Sequence, residues 1–299
     1  MALLLTLGRG ALTGIGKRPS AGAALPRLRL AEPEVRIDPA RMARYAEVCG
    51  YSPAADRVPL TYPHILGFPL AARVMAARDF PLPLMGLVHT SIEITAHRPL
   101  TVDDRPEIAV HAEELRPHRR GTEAVLVTEA RIGGAAVWTD RSTYLARHAA
   151  DRPPEQHAGP EAGQVSGPGA DGARDADADG GRNAEADGGR DSGQDAGGAL
   201  PAVEEWRLPA GLGRQHARVS GDYNPIHLHA LTARPLGFSR AIAHGMWTVA
   251  RCAAALDLTE RVRAQFRAPV PLPSTVTFAA SGDRFELRSH RGVHLTGSS

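Results

Sequence analysis

A short polar stretch in the last third of the chain combines a carboxylate, an imidazole and residues that interrupt helices. Asp222 and His227 are five positions apart, a spacing that does not put two side chains on one face of a regular helix. Pro225 prevents a helix from running through the stretch, and it favours an extended backbone at Asn224. The stretch therefore predicts a tight loop in which Asp222 and His227 converge. A carboxylate and an imidazole placed together can act as acid and base.

A second element follows about twenty residues later. The sequence His244-Gly245 precedes an apolar run, residues 246–250, which is typical of a buried helix. The first N–H groups of a helix have no partner within the helix and attract developing negative charge. An acid–base pair beside such amides is suited to proton transfer next to a carbonyl group.

The residue types and spacings resemble those of one enzyme family. The strings are Ser220-Gly221-Asp222-Tyr223-Asn224-Pro225-Ile226-His227, Gly237-Phe238 and Ile242-Ala243-His244-Gly245-Met246. They are similar to the MaoC-like (R)-specific enoyl-thioester hydratases, which add water to 2-enoyl thioesters or remove it. The strong match covers about 200–270, and the earlier half resembles the non-catalytic half of two-domain members. The resemblance implies an α+β double hotdog fold, in which antiparallel sheets each wrap a central helix.

The resemblance also implies a role for each site residue. Asp222 and His227 hold one water molecule and act as acid and base, while an N–H group near Gly245 polarises the thioester carbonyl. The expected substrate contacts are Asn224, Gly245 and Met246. The expected substrate is the thioester of CoA or of acyl carrier protein in fatty-acid metabolism. No cofactor and no metal ion are expected.

Three other histidines have weaker functional signals. His229 lies two positions after His227, but no cysteine or carboxylate set accompanies the two, so a metal site is weakly supported. We expect His244 to support the start of the helix structurally. His64 has no glycine after it and no evident carboxylate partner, so we assign it to packing. Arginines that are candidates for phosphate contacts are Arg234, Arg240, Arg251 and Arg267.

Two other functions stay open at this stage. A hotdog thioesterase would hydrolyse the same kind of substrate with a carboxylate, and a non-catalytic protein would only bind acyl thioesters. The pairing of Asp222 with His227 argues against both. The sequence contains neither a glycine-rich phosphate loop nor a Gly-x-Ser-x-Gly elbow, which removes the support for nucleotide hydrolysis and serine-hydrolase chemistry.

The two halves of the chain carry an internal repeat. Residues 36–51 align without gaps with residues 207–222, and residues 62–66 align with residues 242–246. The offsets are 171 and 180, and the difference of nine residues falls at the polar loop of the second copy. Tyr51 stands at the position of Asp222. We therefore predict a non-catalytic half (26–150) and a catalytic half (201–299) that pair as a pseudo-dimer within the chain, with a homodimer also possible.

Local patterns predict helices and strands in both halves. Asp38-Pro39 begins a helix that ends before Gly50, and a central helix is expected at about 69–78. Strands are expected at 27–30 and at 34–37. Further strands are expected at 87–94, 107–111, 124–130, 135–139, 203–208, 263–267, 275–280, 285–289 and 293–296.

Composition limits the function classes. A hydrophobic content of 42% suffices for a packed core, and a net charge of only +2 argues against general binding to nucleic acids or membrane surfaces. The two cysteines form no disulfide framework, and no apolar run is long enough to span a membrane, so a cytoplasmic location is expected. Residues 151–200 almost lack aromatic and β-branched residues and predict a disordered linker.

Overall fold

Ten strands form a single sheet in the computed structural model, which describes residues 17, 19–52, 57–84, 86–148 and 199–299. The strands are β1 (Arg29–Glu32), β2 (Leu87–Ala96), β3 (Glu107–His118), β4 (Gly121–Ile132), β5 (Ala135–Arg147), β6 (Ala202–Leu208), β7 (Arg261–Phe266), β8 (Ser274–Ser281), β9 (Arg284–Ser289) and β10 (Gly292–Ser298). Their order across the sheet is β1-β3-β4-β5-β2-β7-β10-β9-β8-β6, and neighbouring strands are antiparallel. The predicted strands are therefore largely confirmed.

Helices lie before and between the strands. They are α1 (Pro39–Cys49), α2 (Tyr62–Met75), α3 (Leu212–Ser220), α4 (Pro225–Leu228), α5 (Ala230–Ala233) and α6 (Gly245–Ala255), with a 3₁₀ turn at Arg234–Leu236. The buried faces of α2 and α6 and the inner faces of the strands form one hydrophobic core. Antiparallel strands around buried helices give the predicted α+β class.

The residues at the two ends of helix α1 explain why its limits could be predicted from the sequence. The Asp38 side chain accepts hydrogen bonds from the N–H groups of Ala40 and Arg41 at 2.9 and 3.1 Å. Proline suits the first helical position, and Gly50 ends the helix with a left-handed backbone at φ 78°. The predicted limits of this helix are confirmed.

Two local predictions in the first half were wrong. The central helix α2 starts at Tyr62, well before the expected start at 69, and it contains Pro69 in its interior. Most of its residues are buried, so tertiary packing outweighs the cost of the interior proline. Residues 34–37 are not a strand. The backbone bond from the Val35 N–H to the Pro106 carbonyl does not continue into a strand pairing.

The two halves of the sheet join along β2 and β7, which we call the seam. Its register runs from Ser91 opposite Gln265 to Thr95 opposite Arg261. An ion pair of 2.7 Å between Glu93 and Arg263 crosses the outer side of this pairing. Each half therefore completes a sheet edge of the other, since an isolated half would leave this edge unpaired.

Contacts between helices also join the halves. The Trp247 indole donates to the Val48 carbonyl at 2.8 Å, and the Arg41 guanidinium donates to the carbonyls of Val219 and Ser220. Thus α1 of the first half is hydrogen-bonded to both the end of α3 and the start of α6. The loop between α3 and α4 is held from the other half of the chain.

The internal repeat is present, and its offset changes along the chain. The left-handed glycines Gly50 and Gly221, which end α1 and α3, confirm the offset of 171. At the central helices, the bonds Val58 N–H to Leu100 O and Ala243 N–H to Val270 O are equivalent, which gives an offset of 185 (243 − 58). The second half therefore has 14 additional residues (185 − 171) before this bond. The last residues of the two central helices, Met75 and Ala255, give the predicted offset of 180.

The predicted linker lies almost entirely outside the described residues, which resume at 199. The exact limits of the two halves stay a prediction. Among the described helices, none combines the length and the apolar character that crossing a membrane requires.

Candidate active site

Two successive turns, each closed by a hydrogen bond from a backbone N–H to a side chain, hold the loop that carries Asp222. The helix α3 ends at Gly221, and the N–H group of Asp222 donates to the Ser220 hydroxyl at 3.1 Å. The N–H group of Asn224 then donates to Oδ1 of Asp222 at 3.1 Å. Asn224 is extended, as predicted before proline, and its side chain caps α4 by accepting from the Ile226 N–H at 3.3 Å. These turns orient the Asp222 carboxylate and make Asn224 a capping residue.

His227 lies in the short helix α4, directly after this loop, and one of its ring nitrogens is hydrogen-bonded to the backbone. Nδ1 lies 2.9 Å from the main-chain oxygen of Ile242. A carbonyl oxygen can only accept, so Nδ1 carries the proton and Nε2 has a free lone pair. Burial, and then the neighbouring His244, lower the pKa of His227 to about 3, although Asp222 opposes this shift. His227 is therefore neutral near pH 7 and has the lone pair that a general base needs.

A close approach of the backbone makes this position possible. Helix α3 passes the main chain of His227 at Gly213, where a Cβ atom would lie 1.9 Å from the His227 carbonyl oxygen. Any side chain at Gly213 would push the two segments apart. The glycine therefore helps to hold His227 beside the Asp222 loop.

His244 lies between the loop and the start of α6. Its ring stacks on that of His227, with centroids 3.7 Å apart and planes 25° apart. Its Nε2 donates to the main-chain oxygen of Asp222 at 3.0 Å and lies 3.8 Å from Oδ2 of the same residue. Burial lowers its pKa, so this residue also stays neutral. The sequence indicated a structural role at the helix start, but not this contact with both Asp222 and His227.

One ligand atom from each of Asp222, His227 and His244 lies within 4.8 Å of the other two. The spacing alone would allow a metal ion to be considered. However, Nδ1 of His227 and Nε2 of His244 donate to main-chain oxygens, so each ring already has one nitrogen bound to the backbone. The arrangement fits proton transfer better than coordination of a metal ion.

The start of α6 provides the predicted amide groups. The first hydrogen bonds of the helix run from the N–H groups of Trp247 and Thr248 to the His244 carbonyl, at 3.1 and 3.2 Å. The N–H groups of Gly245 and Met246 precede these bonds, at the positive end of the helix dipole. A Cβ atom on Gly245 would lie 2.9 Å from the Phe266 ring, so only glycine fits here without a shift. The Met246 side chain points into the core.

Other candidates from the sequence have local structural partners. His229 caps α5 by accepting from the Leu231 N–H at 3.2 Å. Arg251 lies 4.4 Å above the Trp206 ring and 3.7 Å from Glu204. Arg234 and Arg240 are exposed in the segment between α5 and α6.

The first half contributes buried polar groups that the sequence did not reveal. The assignment of His64 to simple packing was wrong, because its Nδ1 lies 2.7 Å from Oδ2 of Asp140, and both side chains are buried. The two residues are 76 positions apart, so no local pattern connects them. Tyr144 and His89 stack at 4.5 Å, and the charge of Asp222 is among the causes that raise the pKa of Tyr144 after burial.

Sequence comparison identifies related proteins. The family model of the MaoC like domain matches residues 213–293. The chain is 32% identical over 264 residues to 3-hydroxyacyl-thioester dehydratase X of Mycobacterium tuberculosis (strain ATCC 25618 / H37Rv), with 87% of this chain and 82% of that protein covered.

Solved structures give the same result for the fold. The crystal structure of HtdX of Mycobacterium tuberculosis superposes with a TM-score of 0.69 at 31% identity, covering 91% of this chain and 98% of that one. A MaoC-like dehydratase from Phytophthora capsici gives a TM-score of 0.67 at 15% identity, covering 93% and 97%. The predicted hotdog architecture is confirmed by this likeness.

Proposed function

The chain belongs to the family of MaoC-like dehydratases, and on this basis we propose that it is a hydro-lyase acting on acyl thioesters. It adds water to trans-2-enoyl thioesters, or removes water from (3R)-hydroxyacyl thioesters, in fatty-acid metabolism. The relative of 32% identity is named a 3-hydroxyacyl-thioester dehydratase, which supports this substrate class.

The observation that carries the proposal is the convergence of Asp222 and His227 beside the first amides of α6. Hydration of an enoyl thioester needs a base for the water, a proton for C2 and a positive site for the carbonyl oxygen. The free lone pair of His227 Nε2 is suited to the first task. The Asp222 carboxyl supplies the second, and the N–H groups of Gly245 and Met246 supply the third.

The protons balance without a cofactor. In hydration, His227 takes a proton from the water as the oxygen bonds to C3, and Asp222 gives a proton to C2. The pair shares one proton, which lies on Asp222 at the start of hydration and on His227 at the start of dehydration. In dehydration, ionised Asp222 removes the proton from C2, and His227 gives the shared proton to the departing hydroxyl. The shared proton returns to its starting residue within the pair before the next turnover, and the enolate-like charge on the carbonyl oxygen faces the start of α6.

The two halves have different tasks in this proposal. Residues 201–299 carry the reacting groups, and residues 26–150 complete the site without an acid–base pair of their own at the matching loop. We propose a pseudo-dimer of these halves within one chain, joined by a linker at 151–200, and a cytoplasmic location. The substrate carrier is CoA or acyl carrier protein.

One assay separates the proposal from its alternatives. Purified protein is mixed with crotonyl-CoA while the absorbance of the conjugated double bond and the appearance of free thiol are both followed. We expect loss of the double bond without thiol release, with (3R)-hydroxybutanoyl-CoA identified by chiral chromatography. Thiol release would indicate a thioesterase, and binding without either change would indicate a non-catalytic acyl-thioester protein.

A further inference from the structure

A bulge in β2 changes the side of the sheet on which His89 lies. The pairing of β2 with β5 shifts between His89 and Ser91, so Thr90 is an additional residue. Ile92 and Ile94 face the core, and regular alternation would place His89 on the outer side with Glu93. The bulge instead turns His89 inward. Bulges of this kind commonly redirect a side chain next to a functional site.

The redirected ring lies at the seam, against aromatic groups of both halves. Its centroid is 4.5 Å from that of Tyr144 in β5 and 4.8 Å from that of Phe266 in β7. The same Phe266 ring covers Gly245 at the start of α6. His89 is therefore separated by one aromatic ring from the amides proposed to hold the thioester carbonyl. Burial and then the charge of Asp140 raise the pKa of Tyr144, and the charge of Asp222 adds to this shift.

His89 has a buried nitrogen available to accept a hydrogen bond. Burial is the main cause that lowers its pKa to about 3, and a hydrogen bond with the main chain of Ser91 acts in the opposite direction. The neutral ring therefore donates from Nδ1 and has a lone pair on Nε2. Within the described residues, this Nε2 is buried and has no hydrogen-bond partner. An unpaired buried acceptor is costly unless a ligand supplies the donor.

The polar surroundings of His89 belong to the first half. The His64 ring lies 6.2 Å away with its plane nearly parallel, and its Nδ1 is hydrogen-bonded to Asp140. Both members of this pair are buried, so the core beside His89 is polar on this side.

We propose that His89 is a substrate-binding residue, contributed by the first half, that accepts a hydrogen bond from the first amide N–H of the pantetheine arm. This proposal rests on the proposed hydratase function. The 3-hydroxyl group and its water lie between Asp222 and His227, so they are not available to His89. Two methylene groups separate the thioester sulfur from the first amide. That short spacer matches a contact one aromatic ring away from Gly245.

The test compares two small substrates that differ at one atom. One is the crotonyl thioester of N-acetylcysteamine, which contains this amide. The other is its ketone analogue, in which a methylene group replaces the N–H. We expect wild type to prefer the amide by about three- to tenfold in kcat/KM, the value of one neutral hydrogen bond. The preference is a ratio within one preparation, so the folded fraction of a variant cancels.

His89→Phe and His89→Leu should both lose the preference, with ratios near one. His89→Gln returns an acceptor oxygen and should retain part of it. His111→Phe, a histidine in β3 on the far side of β4 and β5, is the matched control and should keep the wild-type ratio. A wild-type ratio near one, or an unchanged ratio in both His89→Phe and His89→Leu, would overturn the proposal. Absence of turnover by wild type on both thioesters would contradict the hydratase function. The proposed contact of His89 would then be contradicted as well.

Discussion

The two halves share a plan but differ most at the approach to their central helices. In the first half, a short connection separates Gly50 from Val58, whose N–H group donates to the Leu100 carbonyl. In the second half, 14 additional residues form α4, α5 and the 3₁₀ turn, and they include His227. The two proposed reacting residues therefore lie in, or directly beside, a segment that the first half lacks. The framework itself, the sheet and the central helix, is the same in both halves.

The difference extends to the amide groups at the helix starts. The second half starts α6 at Gly245, whose missing side chain makes room for Phe266. The first half starts α2 at Tyr62 and has Pro63, which lacks an N–H group, at the next position. The first half has instead a buried polar pair, His64 and Asp140, in the first turn of α2.

The largest effect is expected from the reacting pair. Asp222→Asn and His227→Gln should each reduce kcat by about 10² to 10⁴ with crotonyl-CoA, because each removes one of the two proton transfers. The thermal midpoint of unfolding should change little for Asp222→Asn, since Oδ1 keeps its bond with the Asn224 N–H. Turnover close to that of wild type in either variant would exclude the proposed mechanism.

A smaller effect is expected at the helix start. In Gly245→Ala, the new methyl group meets the Phe266 ring at 2.9 Å and must displace either the ring or the amides of α6. We expect kcat/KM to fall about tenfold through loss of carbonyl binding. The double variant Gly245→Ala with Phe266→Leu should recover part of the loss, since the smaller side chain makes room. An equal loss in both variants would show that the contact with Phe266 is not the cause.

Acid should destabilise the protein through its buried histidines. The pKa values of His89 and His227 fall to about 3 on folding, mainly through burial. Between pH 6.5 and 3 the unfolded chain binds protons that the folded chain does not, so stability falls as the pH decreases. Each histidine should account for about 2 kcal/mol between pH 7 and pH 5. Urea unfolding at the two pH values measures the loss.

His89→Phe provides the control for that measurement, because it removes one of these groups from the first half. Its loss of unfolding free energy between pH 7 and pH 5 should be smaller than that of wild type by about 2 kcal/mol. An identical loss in the variant would show that His89 does not remain neutral in the folded protein.

The smallest effect on activity is expected when the segment that connects the two halves is replaced. Residues 155–198 are poor in aromatic and β-branched residues, so their composition supports neither a core nor a site. Replacement by a Gly/Ser segment of equal length should leave kcat/KM within about twofold of wild type. Loss of both folding and activity would show that this stretch contributes more than a connection.

Local signals in the sequence predicted much of the fold and of the site. Asp38, Pro39 and Gly50 mark the ends of α1 because capping depends on neighbouring residues. Gly133 and Gly134 adopt positive φ angles between β4 and β5, and two adjacent glycines between strands are a local signal for a hairpin turn. Asp222 and His227 were identified because their loop is continuous in sequence.

Features that depend on distant residues were missed. The start of α2 was placed too late because burial overrides the signal of Pro69. The partner of His64 lies in β5, and the inward turn of His89 results from a bulge that only the strand pairing reveals. No local pattern carries either fact. The stacking of His244 on His227 likewise depends on how α4 and α6 approach each other.

The central claim is that the second half reacts while the first half completes its site, and separate expression of the halves tests it most directly. Residues 200–299 alone expose the edge of β7 and lose the bonds that α1 makes to α3 and α6. We predict that this fragment is insoluble or inactive on crotonyl-CoA, and that co-refolding with residues 1–150 restores turnover. A fragment of residues 200–299 that is soluble, monomeric and fully active would contradict the account.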